Sequence, residues 1–291
     1  MEADFDAPAI LASLIVLGVL LSSAALWILH IQKPREVISP DLGIRAWSIG
    51  WVNFGIFLCA LVVAVAFANI VAGAFLGGAI EEANGELTPW LAVFGVLLLQ
   101  LPLIAVFFLV RRISPGNFAD RLSSRDIGFM EAFRITLPYF LRTLPLVWVA
   151  SIVWGQVLQL MHAIGLIEEY NPQELVTLFA ADGDPLAIGL LVLFAVVLAP
   201  LVEEIIFRGC LYRFLKSQTA LLPAQIISGI FFALLHANLL SFVPLVLVGL
   251  LLARVYEASG NLLTAVIYHA FFNGFTLLML FLFNHSSLAG N

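Results

Sequence analysis

The sequence predicts an all-α, polytopic membrane protein of about eight transmembrane helices, with the functional site among the last four. Three observations predict it. Of 291 residues, 62% are hydrophobic and 11% charged, where a soluble domain carries about 25% charged residues. The apolar residues are gathered into runs that reach the roughly 20 residues needed to cross a bilayer. The polar breaks between runs alternate in sign, basic then acidic. The net charge of −6 sits in those breaks and indicates no partner, and no basic stripe points to nucleic acid.

Residues 9–31, behind the acidic MEADFDAP, exceed the roughly 7–15 apolar residues of a signal peptide and read as a retained first span. Further spans are expected near 47–80, 88–110, 135–163, 186–207, 221–238, 240–256 and 262–283. The second is long for one crossing, and Gly73, Gly77 and Gly78 predict an irregular or tilted end. Pro138 and Pro145 predict kinks in the fourth. DLGIR (41–45) and DIGFM (126–130) resemble each other, and each Asp reads as a helix cap rather than as the mark of a duplicated unit. Cys59 and Cys210 lie in or beside apolar segments, so no disulfide framework follows. Residues 1–291 read as a single integral-membrane domain.

Orientation follows from the basic residues. Lys33, Arg35 and Arg45 follow the first span, Arg111, Arg112, Arg121 and Arg125 the third, and Arg208, Arg213 and Lys216 the fifth, while Arg254 ends the seventh. With eight crossings these all lie on one side. The opposite breaks hold Glu81, Glu82, Glu86, Glu168, Glu169, Glu174, Asp182 and Asp184, without Lys or Arg. Both termini are therefore expected outside the cytoplasm.

Inside the apolar runs, ionisable groups are few. Arg134 and Arg142 in the fourth span read as snorkelling to the interface. The fifth run ends in LAPLVEEIIFRG (198–209). An ionisable residue deep in a bilayer costs roughly 2.5–3.5 kcal/mol. Glu204 and Arg208, four apart with the acid N-terminal, offset part of that cost on one helix face. Glu203 lies about 100° round the helix and has no local partner. It can simply mark the helix end, but two further spans carry polar groups. The sixth reads IISGIFFALLHAN with His236, and the eighth NLLTAVIYHAFFNGF with His269 and Asn273 on one face.

A carboxylate, two imidazoles and an amide suit hydrolysis of an amide bond. Glu203 can act as general base on a water that His236 holds or shares, while His269 and Asn273 can donate to the developing oxyanion. Equally, Glu203, His236 and His269 are the ligand types of a catalytic zinc with an open position. The residues leave both schemes open. HExxH is absent, no GxSG occurs, and ADGD (181–184) has Ala181 where a presenilin-type motif has Gly. A proton-coupled transporter would use intramembrane Glu and His too, but the polar residues crowd into the last three runs rather than into two related halves. A non-catalytic scaffold or immunity protein is the other alternative.

Glu203-Glu204-x-x-x-Arg208, Phe232-x-x-x-His236 and His269-x-x-x-Asn273 resemble, in order and spacing, the three motifs of the CAAX prenyl endopeptidase type II family. That family is also called CPBP, for CAAX protease and bacteriocin-processing proteins, or Abi. The resemblance covers 186–283 and implies a protease core there. It also implies an intramembrane endopeptidase acting on a protein or peptide, in some members a lipidated one, in others in bacteriocin processing or self-immunity. By the same resemblance Glu203 with His236 activates water, His269 and Asn273 form the oxyanion site, and Glu204 with Arg208 supports Glu203. The family is labelled both metalloprotease and glutamate-type, so zinc is left open. Straight helices of 1.5 Å per residue do not bring His236 to the depth of Glu203. The sixth helix is therefore expected to begin in cytoplasm or a water-filled vestibule.

Overall fold

In the computed structural model, residues 6–32, 43–82, 87–118, 121–168 and 184–286 are described, and every regular element among them is helical. The helices are α1 (Ala7–Gln32), α2 (Trp51–Glu82), α3 (Pro89–Ile113), the single turn α4 (Pro115–Phe118) and α5 (Phe129–Ala163). They continue as α6 (Pro185–Gln218), α7 (Leu221–Leu235), α8 (Phe242–Ser259) and α9 (Leu262–Asn284). All but α4 and α7 are long and apolar enough to cross a membrane, seven among the described residues. The chain is an integral, multi-pass membrane protein, and its eight apolar helices are those the sequence predicts. With 15 residues, α7 spans about 22 Å, short of a hydrocarbon core of about 30 Å.

Several local expectations are corrected. Residues 47–50 are not helical, and α2 runs unbroken through Gly73, Gly77 and Gly78. A Cβ at each of those glycines would meet nothing within 4 Å, so no packing contact disturbs the helix there. α5 starts six residues before the predicted 135, with Gly128 rather than Asp126 in the cap position. Arg142 is half-buried against two aromatic rings. Its guanidinium lies 5.2 Å from the Trp27 ring and 5.3 Å from the Tyr139 ring, a cation–π arrangement. Arg134 is exposed. Lys33, Arg35, Asp41, Glu86, Glu169, Glu174 and Asp182 lie outside the described residues.

Most helices bury a fifth or less of their apolar stretch, but α8 buries half. It is the centre of the bundle, and the apolar faces of the others are left for lipid. Lipid supplies no hydrophobic drive between helices, so close contact rests on small residues and buried hydrogen bonds. Gly229 of α7 and Gly249 of α8 meet backbone to backbone, and a Cβ on Gly249 would lie 2.6 Å from the Gly229 Cα. Gly249→Ala is therefore expected to push α7 and α8 apart. The cost should be about 1–3 kcal/mol, as for overpacking, read as a lowered thermal midpoint of the detergent-solubilised protein.

Polar contacts pin the helix ends. Ser23 Oγ and Trp27 Nε1 of α1 both donate to the Arg142 carbonyl at 3.0 Å. The non-helical segment 43–50 is sewn to the end of α6: Trp47 N–H donates to Arg213 O (3.0 Å), Arg213 Nε to Arg45 O (2.8 Å) and Lys216 Nζ to Ile44 O (2.6 Å). Asp184 caps α6 by accepting from Leu186 N–H at 2.9 Å and ties it to α3 by accepting from Trp90 Nε1 at 2.8 Å. The Trp90 indole, then the Leu186 amide, holds the Asp184 carboxyl below its ordinary range. A folded-state value lowered in this way gives stability that is present above the unfolded value and is lost as pH falls through the lowered one. Asp184→Asn should accordingly melt below wild type at neutral pH, and the two midpoints should converge in strong acid.

Candidate active site

The site is built on an irregular stretch of α6. Ala199 N–H donates to Phe194 O, five residues back, so Phe194–Leu198 is a π turn. In that register the Ala195 carbonyl faces position 200, which is proline and has no N–H. The orphaned carbonyl is taken by Asn273 Nδ2 of α9 at 2.8 Å. A normal α turn, Ala199–Glu204, carries the two acids, and a second π turn follows over Ile205–Tyr212. Glu203 and Glu204 thus sit between two π turns, a distortion that often marks functional sites.

Glu204 and Arg208 are completely buried and paired, Arg208 Nη1 donating to Glu204 Oε1 at 2.8 Å. The second guanidinium nitrogen, Nη2, donates to Gly249 O at 3.0 Å, and the guanidinium carbon stands 4.7 Å over the Phe232 ring. The glycine contact between α7 and α8 therefore also sets the carbonyl that Arg208 needs. His269 Nδ1 lies 2.9 Å from the same Glu204 Oε1. A carboxylate oxygen accepts, so Nδ1 carries the hydrogen. The remaining ring nitrogen, Nε2, is turned to Glu203 Oε2 at 3.9 Å.

Glu203 is only partly buried. Its Oε1 accepts from Gln100 Nε2 of α3 at 3.0 Å, while its Oε2 has no hydrogen-bond partner among the described residues. His236 follows the last residue of α7 and is half-buried. Its Nδ1 donates to Phe232 O at 2.7 Å, which leaves Nε2 as an acceptor in the neutral ring. Its ring packs on Phe232 with centroids 4.6 Å apart, and His269 meets the same phenyl ring edge-on at 5.4 Å.

The structure thus joins Glu203, Glu204, Arg208 and His269 in one polar cluster. His236 reaches it through the shared Phe232 ring, and Asn273 through the backbone of the π turn below the acids. Glu203, His236 and His269 would have to converge to hold zinc. Among the described residues no three His, Cys, Asp or Glu side chains are grouped so as to hold a metal ion. As placed, Glu203, His236 and His269 do not converge on one point, and no step is derived through a metal.

Sequence reasoning missed Gln100 and the role of Gly249. The signal for Gln100 was present in LLLQLPL (97–103), a lone amide in mid-run. Gly249 had none, because its contribution is a carbonyl and a missing Cβ.

Comparison with known proteins finds the motif-bearing region again. Residues 185–275 match the model of a family described as Type II CAAX prenyl endopeptidase Rce1-like. All six candidate residues fall inside that stretch. Over 93 residues the chain is 27% identical to a protein of Bacillus subtilis (strain 168) named "Putative membrane peptidase YdiL". That match covers 32% of this chain and 38% of the relative, well under two thirds of its length. No solved structure matches the chain.

Proposed function

We propose that this chain, whose residues 185–275 match the type II CAAX prenyl endopeptidase family, is an intramembrane endopeptidase in which Glu203 activates the attacking water. One observation carries the reading. Glu203 Oε2 and His269 Nε2 face each other 3.9 Å apart, too far for a direct hydrogen bond and close enough for one oxygen to touch both. A water there donates one hydrogen to each acceptor and presents its lone pairs to a carbonyl carbon.

As the new C–O bond forms, Glu203 takes the proton of that water and the carbonyl electron pair moves onto oxygen. Asn273 has a second Nδ2–H beyond the one given to Ala195, and it serves as a donor to that oxygen. His269 Nε2 keeps its place as acceptor, now from the hydroxyl of the tetrahedral intermediate. His236 Nε2 is the alternative acceptor for the hydrogen that His269 Nε2 otherwise receives. When the C–N bond breaks, the proton held by Glu203 passes to the leaving amine, so the two products are a carboxylic acid and an amine. Glu204 and Arg208 do not touch substrate in this scheme; they fix the tautomer and aim of His269.

Residues 186–283 form the protease core of a single integral-membrane domain 1–291. Both termini lie outside the cytoplasm, and cleavage occurs toward the cytoplasmic side, by the placement of the basic residues. The substrate is a protein or peptide, CAAX-like and lipidated or bacteriocin-related. The test is cleavage of two internally quenched peptides by the purified protein in detergent. One ends in a farnesylated CAAX sequence and the other is its unprenylated twin. Cleavage of either supports the reading, and a preference for the first identifies a lipidated substrate. Silence toward both favours a scaffold or immunity role. Metal content of the active preparation, with loss of activity in chelator, would instead bring zinc into the site.

A further inference from the structure

We propose that Gln100 is a positioning residue for Glu203, so that the site is completed by a helix outside the matched family region. The inference rests on the endopeptidase reading. Gln100 is the twelfth residue of α3 and is 2% exposed. An amide in the middle of an apolar helix is unfavourable unless it is bonded, and among its described contacts the bond is the one to Glu203 Oε1 at 3.0 Å. The amide must present Nε2 to the carboxylate, because its oxygen would repel a second acceptor.

The physical need is torsional. The last torsion of a glutamate side chain is broad, so a carboxylate held at neither oxygen swings freely and spends little time aimed at one neighbour. Among the described residues only the Oε1 of Glu203 is bonded. Fixing that oxygen from α3 fixes the plane of the group and turns Oε2 toward His269 Nε2. Glu204 then orients the imidazole from the other side through Nδ1. The two reacting atoms are thus aimed by two different helices, α3 through Gln100 and α6 through Glu204. The pin between Trp90 and Asp184 ties the starts of those helices together.

Gln100→Met keeps the length and removes the donor. With the farnesylated and unprenylated quenched peptides, the variant is expected to lose up to about 100-fold in kcat, as for a small misplacement of a reacting group, with KM little changed. A purely structural role would lower the amount of folded protein without that split between kcat and KM. The thermal midpoints of Gln100→Met, Glu203→Ala and the double variant supply a second readout that needs no turnover. The midpoint shift of the double variant should be smaller than the two single shifts together. Unchanged kcat in Gln100→Met, or strictly additive midpoint shifts, overturns the inference alone. Wild type silent on both peptides overturns the endopeptidase reading and this inference with it.

Discussion

Glu203→Gln is expected to abolish peptide cleavage while leaving the fold in place. The amide keeps the shape of the side chain and still accepts from Gln100 through its oxygen, so the bond at 3.0 Å survives. What is lost is the basic oxygen that faces His269 Nε2. An amide nitrogen cannot take a proton from water. Removing a general base typically lowers the rate by 10²–10⁴, a fall of about 3–5 kcal/mol in transition-state stabilisation by the usual conversion. The quenched-peptide assay reads the rate, and the thermal midpoint, expected to stay near wild type, verifies the fold. Full cleavage by this variant would remove Glu203 from the mechanism.

Arg208→Ala is expected to give the largest loss of stability, about 3–5 kcal/mol, as when one partner of a buried ion pair is removed. Glu204 and Arg208 are both entirely inaccessible. Truncation leaves the Glu204 carboxylate with His269 as its donor among the described residues and takes the donor from the Gly249 carbonyl. It also removes the cation over Phe232, the ring on which both histidines rest. Native stabilities of 5–15 kcal/mol make such a loss visible as a drop in thermal midpoint and in yield of monodisperse protein. Arg208→Lys should rescue little, because a single ammonium lacks the planar fork that reaches Glu204 and Gly249 at once. Glu204→Gln combined with Arg208→Met should recover much of the midpoint without recovering cleavage. Removing both charges ends the desolvation cost but leaves His269 without its anionic anchor.

Much of the architecture was legible because a bilayer imposes one strong rule: the backbone must satisfy itself, so a crossing element is a long apolar helix. Run lengths therefore located the helices to within a few residues, except at the start of α5 and at the end of α6, which runs to Gln218 rather than 207. The pairing of Glu204 with Arg208 was legible too, since a spacing of four fixes a shared face. Residues 47–50 were misread as helix because Trp47 is as apolar as a span residue. Its burial is instead against the end of α6, where its N–H finds the Arg213 carbonyl. The π turns were invisible, since they depend on which carbonyl Pro200 leaves empty and on whether a distant amide arrives to fill it.

The chain alone determined that this is a helical membrane protein and that three late helices carry polar groups of a hydrolase-like kind. It did so because hydropathy and i,i+4 spacing are local properties, readable one segment at a time. Only the packing decided the cluster itself: that His269 turns Nδ1 to Glu204 and Nε2 to Glu203, and that a glutamine from α3 holds the base. Those contacts join residues 65 and 103 positions apart. Distances of that kind are set by how closely helices meet, at Gly229 against Gly249 and at Asp184 against Trp90, and no local pattern encodes them.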